Sequence, residues 1–187
     1  MDKHFRFSAI LLAISFSMLS FTTSISASER KINMNQHWKF YHGCIANAEQ
    51  PSFNDSGWRV LDIPHDWSVE PLPVQREGIT IGPFSRMSIG GPDTGQTVGG
   101  EGWYRKELIL QPGDTDKILS LYFEGAYNQT EVWINGQKAC FNAYGYIPFR
   151  IDINKYCNAP GIPNTIAVKV INEGLNSRWY AGSGIYR

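Results

Sequence analysis

Apolar and polar residues alternate along most of this chain. In ILSLYFEG, Leu119, Leu121 and Phe123 fall on one side, with Ser120 and Tyr122 on the other. Val132 and Ile134 alternate with Glu131 and Trp133. Phe149, Ile151 and Ile153 alternate with Arg150 and Asp152. Ile166, Val168 and Val170 alternate with Ala167 and Lys169, and Tyr104, Lys106, Leu108 and Leu110 share a face of WYRKELIL. A period of two puts every second side chain on one face, which is the signature of half-buried strands. No window of helical length shows a period near 3.6.

Turn chemistry separates these runs. Asn135-Gly136 lies between two of them and predicts a tight type I′ hairpin, because both central positions of that turn need positive φ. QPGDTDK and NAPGIPN supply further turns. Many short strands joined by Gly/Pro turns predict an all-β, two-sheet antiparallel sandwich. Short helical turns are expected at IDINKYC, where Asp152 or Asn154 can cap, and around SFNDSGW. Pro64 biases Ile63 toward extended backbone, so LDIPHDW is expected to be a strand that turns sharply at its end. From Pro71 to Gly102 the pattern lapses. That stretch holds four prolines and eight glycines and is expected to be a long irregular surface loop, mobile and functional. The final Ile185, Tyr186 and Arg187 look like a strand under way.

The N-terminus reads differently. Lys3 and Arg6 precede an uncharged apolar run from Phe7 to Phe21, and small residues around Ser26-Ala27-Ser28 follow. This order predicts a secretory signal over residues 1–28, cleaved on export to the periplasm or beyond. The run is shorter than a membrane span requires. Residues 29–187 then form one domain with its own core.

Seventeen basic residues balance seventeen acidic ones. Neither nucleic acid nor an anionic membrane is suggested as a partner. Cys44, Cys140 and Cys157 lie far apart without C-x-x-C spacing, so no metal site is expected. Export permits one disulfide, whose pair the spacing does not select; the plainer expectation is three small buried residues. Glu101, Glu107, Glu124, Glu131 and Asp152 fall in or beside strands, and most are expected to be solvated. No pair is marked out as the matched carboxyls of a glycosidase. His65 and Asp66 are adjacent and point apart on a strand. Ser183 lacks the flanks of a nucleophile elbow, and no Gly-rich loop opens a helix for a nucleotide. No cofactor is expected.

The aromatic content is 13%, with six tryptophans. Trp67, Trp103, Trp133, Trp179 and Tyr180 have two open roles, core packing or stacking on the C–H face of a sugar.

Six blocks in series carry a family resemblance: FNDSGWRVLDIPHDWSVE, GEGWYRKEL, FEGAYNQTEVWINGQ, GYIPFRIDI, NTIAVKV and RWYAGSGIYR. Together they resemble the N-terminal domain of glycoside hydrolase family 2, most nearly its exported β-galactosidase type. The resemblance implies a jelly-roll sandwich of the galactose-binding kind, followed in family members by an immunoglobulin-like domain and a catalytic (β/α)₈ barrel. It implies that both catalytic glutamates belong to that barrel, that this chain is a truncated piece inactive by itself, and that its partner in the full enzyme is a β-galactoside-like glycan. A free-standing carbohydrate-binding module and an inert remnant are the alternatives. On this resemblance Phe84, Ser85 and Arg86 of the long loop, with Trp179 and Tyr180, are expected to line a sugar-binding wall. Asp66, Trp67 and Arg178 are further candidates, Asp66 and Arg178 with structural pairing as the competing role.

Overall fold

The computed structural model describes residues 29–173 and 181–187. The fold is carried by Asn33–Arg187. Its strands are β1 (Trp38–His42), β2 (Arg59–Leu61), β3 (Thr80–Ile81), β4 (Phe84–Ser85), β5 (Gly100–Ile109), β6 (Ser120–Phe123), β7 (Thr130–Ile134), β8 (Gln137–Asn142), β9 (Phe149–Asp152) and β10 (Pro163–Asn172). Among the described residues there is no α-helix, only short 3₁₀ turns.

Ten register pairs join β5 to β10, from Ile109 opposite Pro163 to Gly100 opposite Asn172. This pair is the spine of a six-stranded antiparallel sheet ordered β2-β1-β5-β10-β7-β8. The second layer contains β6 paired with β9, together with chain segments that run beside it without forming named strands. The alternation read from sequence points its apolar members inward. Tyr104, Val132, Ile134, Ile166, Val168 and Val170 of the large sheet meet Leu121, Phe123 and Ile151 of the small one, and Ile153 just after it, in a single core. The chain is thus the jelly-roll β-sandwich that the pattern and the resemblance imply. The Asn135-Gly136 hairpin forms as expected, with φ of 51° and 77° at the two positions.

The outer face of the large sheet carries a second, smaller core. Trp103, Ala167 and Ala48 are buried there against Ile45, Phe53, Trp58 and Trp133. Residues 43–58 fold back over that face. Arg105, only 3% exposed, ties the cover down: Nε donates to Asp55 at 2.8 Å, and one terminal nitrogen donates to the carbonyls of Ala48 and Gln50. Lys39 pairs with the same Asp55.

Five expectations need correction. SFNDSGW forms turns rather than helix, with Asn54 and Asp55 accepting from Ser56 and Trp58; IDINKYC does form a 3₁₀ turn over Asn154–Tyr156, whose N-cap is Ile153, with the Asp152 carboxylate accepting from the Asn154 N–H. The strand expected through LDIPHDW ends at Leu61. The Pro71–Gly102 stretch is not structureless: β3 and β4 pair within it, a 3₁₀ turn spans Gly91–Thr94, and β5 already begins at Gly100. Residues 185–187 make no strand; the segment forms only an isolated bridge at Gly184. His65 and Trp67 donate to the carbonyls of Ile185 and Ser183 on one side, while Tyr127 and Gly184 exchange both bonds on the other. Of the cysteines, all free, Cys44 is exposed and Cys140 and Cys157 are half-buried, against the expectation of three buried residues.

Candidate functional site

The long connection is held by its own backbone and by several of its side chains, Gln75 among them. Leu72 N–H donates to Gly82 O, Arg86 N–H to Ile79 O and Ser85 N–H to Gln96 O. The Gln75 amide clamps the hairpin by donating to Leu72 O and accepting from Gly82 N–H. So folded, the connection lies against the end of β10. Gly99 is obligatory at that contact, since a Cβ there would collide with the Asn172 carbonyl.

Between them lies a cleft of about 350 Å³ lined by Leu72, Ser85, Met87, Ser88, Ile89, Thr94, Thr97, Val98, Gly99, Gly100, Asn172, Glu173 and Ala181. Its walls mix aliphatic carbons with hydroxyls and one amide. Asn172 Nδ2 donates to Ser183 Oγ at 2.8 Å, which leaves the amide oxygen as an acceptor. Ser88 Oγ is buried and has no hydrogen-bond partner among the described residues.

Asp66 and Trp67 support this cleft from behind and are not among its lining. Asp66 Oδ1 accepts from Ser68 N, Ser68 Oγ and Ser183 N, at 2.9, 2.5 and 2.8 Å. It thereby caps the 3₁₀ turn Trp67–Val69 and fixes the backbone just beyond Ala181. Trp67 is 4% exposed, stacks on Phe40 and donates from Nε1 to the Gly99 carbonyl at 3.2 Å. Its ring therefore has no open face for a sugar; Gly102 is required where it packs, because a Cβ there would enter the indole. His42 reaches the same Gly99 carbonyl at 2.9 Å.

Of the three loop candidates, Ser85 is buried and lines the cleft, while Phe84 and Arg86 alternate with it and are exposed. Arg178, Trp179 and Tyr180 lie outside the described residues; the segment that carries them is bounded in sequence by Glu173 and Ala181. Trp103 and Trp133 stack on each other at 5.3 Å on the sheet's outer face, under the Lys169 ammonium.

A buried polar chain lies beneath the cleft's support. Tyr104, fully buried, shares a 2.8 Å hydrogen bond with His65 Nδ1 and is within hydrogen-bond reach of the Ile185 backbone. His65 Nε2 meets Glu70 at 3.1 Å, and Arg59 holds Glu70 from outside. Burial pushes the Tyr104 hydroxyl far up and the His65 imidazole down, the latter against the pull of Glu70. The arrangement suits a neutral His65 with its proton on Nε2. Gly184 completes it, since a Cβ there would press on the Tyr104 hydroxyl at 2.5 Å and on the His65 carbonyl.

Sequence reading missed Ser88, Thr94, Thr97 and Asn172. The hydroxyls are isolated in a Gly/Pro-rich stretch without periodicity, and only the last residue of a strand distinguishes Asn172. Glu131, expected to be solvated, is instead partly buried between Lys138 and Lys169.

Comparison with known proteins agrees with this architecture. Residues 35–187 match the family described as glycosyl hydrolases family 2, sugar binding domain. The chain is 40% identical over 167 residues to the β-galactosidase BoGH2A of Bacteroides ovatus, covering 89% of this chain and 18% of that protein. It is 38% identical over 162 residues to a putative β-glucuronidase of Formosa agariphila, covering 86% of this chain and 14% of that one. Among solved structures, a glycosyl hydrolase family 2 member from Bacteroides cellulosilyticus superposes with a TM-score of 0.75 at 40% identity, over 82% of this chain and 19% of that one. The chain thus spans less than a fifth of the length of these relatives, and what it matches in them is one domain. It belongs to the sugar binding domain family of the family 2 glycosyl hydrolases.

Proposed function

We propose that this domain forms a non-catalytic wall of the sugar site of an exported β-galactosidase-type glycosidase. The observation that carries the reading is the cleft between the long connection and the end of β10, aliphatic and hydroxyl-lined, of a size that suits one sugar ring. Ser85 acts from inside it. Phe84 and Arg86 serve the outer rim, and Arg178, Trp179 and Tyr180 join them from the segment between two cleft residues. Asp66 and Trp67 hold the two sides in place. Chemistry is left to the parts of the relatives that this chain does not span, because no matched pair of carboxyls at glycosidase spacing faces the cleft among the described residues. The leader pattern of residues 1–28 supports export, and the identity to a β-galactosidase supports a β-galactoside-like glycan.

The test is direct. Purified chain is assayed on a chromogenic β-galactoside and titrated calorimetrically with methyl β-galactoside. No hydrolysis and an affinity of about millimolar or weaker are expected, since an accessory wall makes only part of the contacts. Micromolar binding favours a free-standing carbohydrate-binding module instead, and hydrolysis above a no-protein control overturns the proposal.

A further inference from the structure

The turn that joins β8 to β9 reads, with Asn142, NAYGYIP and carries no charge. Its two tyrosines belong to neither core. Tyr144 is 56% exposed and Tyr146 46%, and their rings meet edge to face, centroids 5.7 Å apart and planes at 69°. Single apolar residues at a surface are ordinary. Two adjacent large rings left half in water need another reason when the backbone beneath them is locked.

That backbone is held from several sides. The Tyr186 hydroxyl donates to the Gly145 carbonyl at 2.6 Å, and Asn142 Nδ2 donates to the Tyr144 carbonyl at 3.0 Å. Gly145 lies so close to the Tyr127 ring that a Cβ would enter it. Tyr127, itself buried, backs Tyr146 at 5.0 Å. Tyr127 and Tyr186 are fixed in turn by the last segment of the chain: Tyr127 exchanges two backbone bonds with Gly184, and Tyr186 packs where a Cβ on Gly125 would collide with it. The two rings are therefore presented by a prepared scaffold, so a ligand that docks on them forfeits little loop entropy.

A tyrosine offers an apolar ring face and a hydroxyl at its edge. A β-linked hexopyranose chain offers the complement, axial C–H groups on its ring faces and hydroxyls around the rim. Rings set at a steep angle match neighbouring units of a chain that turns from one sugar to the next. The tyrosine hydroxyls and the Asn142 amide oxygen supply uncharged hydrogen bonding. Register places this turn at the same end of the large sheet as the cleft. Thr130 pairs with Asn142 on one side and with Val170 on the other, and Val170 precedes the cleft residue Asn172 by two positions. Two strand spacings, about 10 Å, separate Asn142 from Val170, a span that a short oligosaccharide covers.

We propose that Tyr144 and Tyr146 form a stacking platform for a β-linked hexopyranose chain, a sugar-binding surface additional to the cleft. It stands on the tyrosine turn and does not depend on the cleft. The experiment is a ¹⁵N–¹H NMR titration of the chain with a β-linked galactotetraose and, separately, with cellotetraose. At least one is expected to shift the amides of Tyr144, Gly145 and Tyr146. Tyr144→Ala is expected to weaken that binding about fivefold, whereas Tyr144→Phe, which keeps the ring face, stays within about twofold of the parent. The Tyr144 side chain is exposed, so both variants keep the parent's dispersed spectrum. Shifts confined to Ser88, Val98 and Asn172 support the cleft and overturn the platform. Loop shifts that Tyr144→Ala leaves equally strong, or a Phe variant as weak as the Ala one, overturn stacking on this ring. A dimer in sedimentation velocity that Tyr144→Ala dissolves assigns the patch to a second copy of the chain and overturns it too.

Discussion

Ser183 donates its backbone N–H to the Asp66 carboxylate at 2.8 Å, a bond that spans 117 positions of sequence. The same oxygen caps the turn that begins at Trp67. One carboxylate thus couples the start of the long connection to the last segment of the chain. Asp66→Ala removes an acceptor of three donors and is expected to cost about 2–3 kcal/mol, whereas Asp66→Asn keeps an acceptor oxygen and costs less. Urea unfolding of the two variants checks this. Equal losses would mean that the carboxylate's charge, which both variants remove, matters at this position and the acceptor oxygen kept by Asn does not.

Arg105 is buried on the outer face and is shared among Asp55 and the carbonyls of Ala48 and Gln50. Removing one partner of a buried ion pair strands the other, with losses typically of about 3–5 kcal/mol. Arg105→Ala is expected to lose that much and to release residues 43–58 from the sheet, read as faster amide exchange there. Burial opposes ionisation of Asp55, but hydrogen bonds from Lys39 and Arg105 outweigh it and hold this carboxyl below its usual range.

The sandwich was legible because period-two alternation is a local signal; Tyr104, Val132, Ile134 and Val168 all face the core it predicted. The outer-face core was not, because Trp103, Arg105 and Ala167 occupy the positions that alternation assigns to solvent, and a non-local cover, residues 43–58, buries them. The final segment was misread for a related reason. Ile185 is apolar and extended, yet its backbone is bonded to His65, which is about 120 residues away in sequence, so no local pattern reveals the partner. Ser85 was found through the family resemblance, while the cleft hydroxyls around it depend on how the connection folds back on itself. Trp67, a candidate for sugar stacking, is buried, and its indole serves the Gly99 carbonyl.

Stability should fall with mild acid. Burial keeps the folded His65 below the usual 6.5, while the unfolded imidazole titrates near that value. As pH falls between about 7 and 5 the unfolded state binds more protons, so folding weakens across that window. Below it Asp55, Glu70 and Glu131 add further losses, because each is held below its usual value in the fold. Melting temperatures measured across pH should step down through the first window, and His65→Gln should flatten that step. An unchanged step in His65→Gln assigns it to another group.

Thiol chemistry should single out one residue. Cys44 is exposed, whereas burial pushes the Cys140 and Cys157 thiols up. The thiolate is the reactive form. Mass spectrometry after brief alkylation of the native chain is expected to find Cys44 modified first, with the other two following only on unfolding. Early modification of Cys140 would contradict the burial that holds its thiol up.

The central claim is that the long connection forms part of a sugar site completed by domains this chain does not span. Its most direct test grafts residues 35–187 in place of the matching domain of the Bacteroides ovatus β-galactosidase and compares that chimera with one lacking residues 80–95. The account predicts an active chimera whose kcat/KM for a β-galactoside falls about tenfold or more on deletion, about 1.4 kcal/mol of transition-state stabilisation. An unchanged kcat/KM in a folded deletion variant would contradict it.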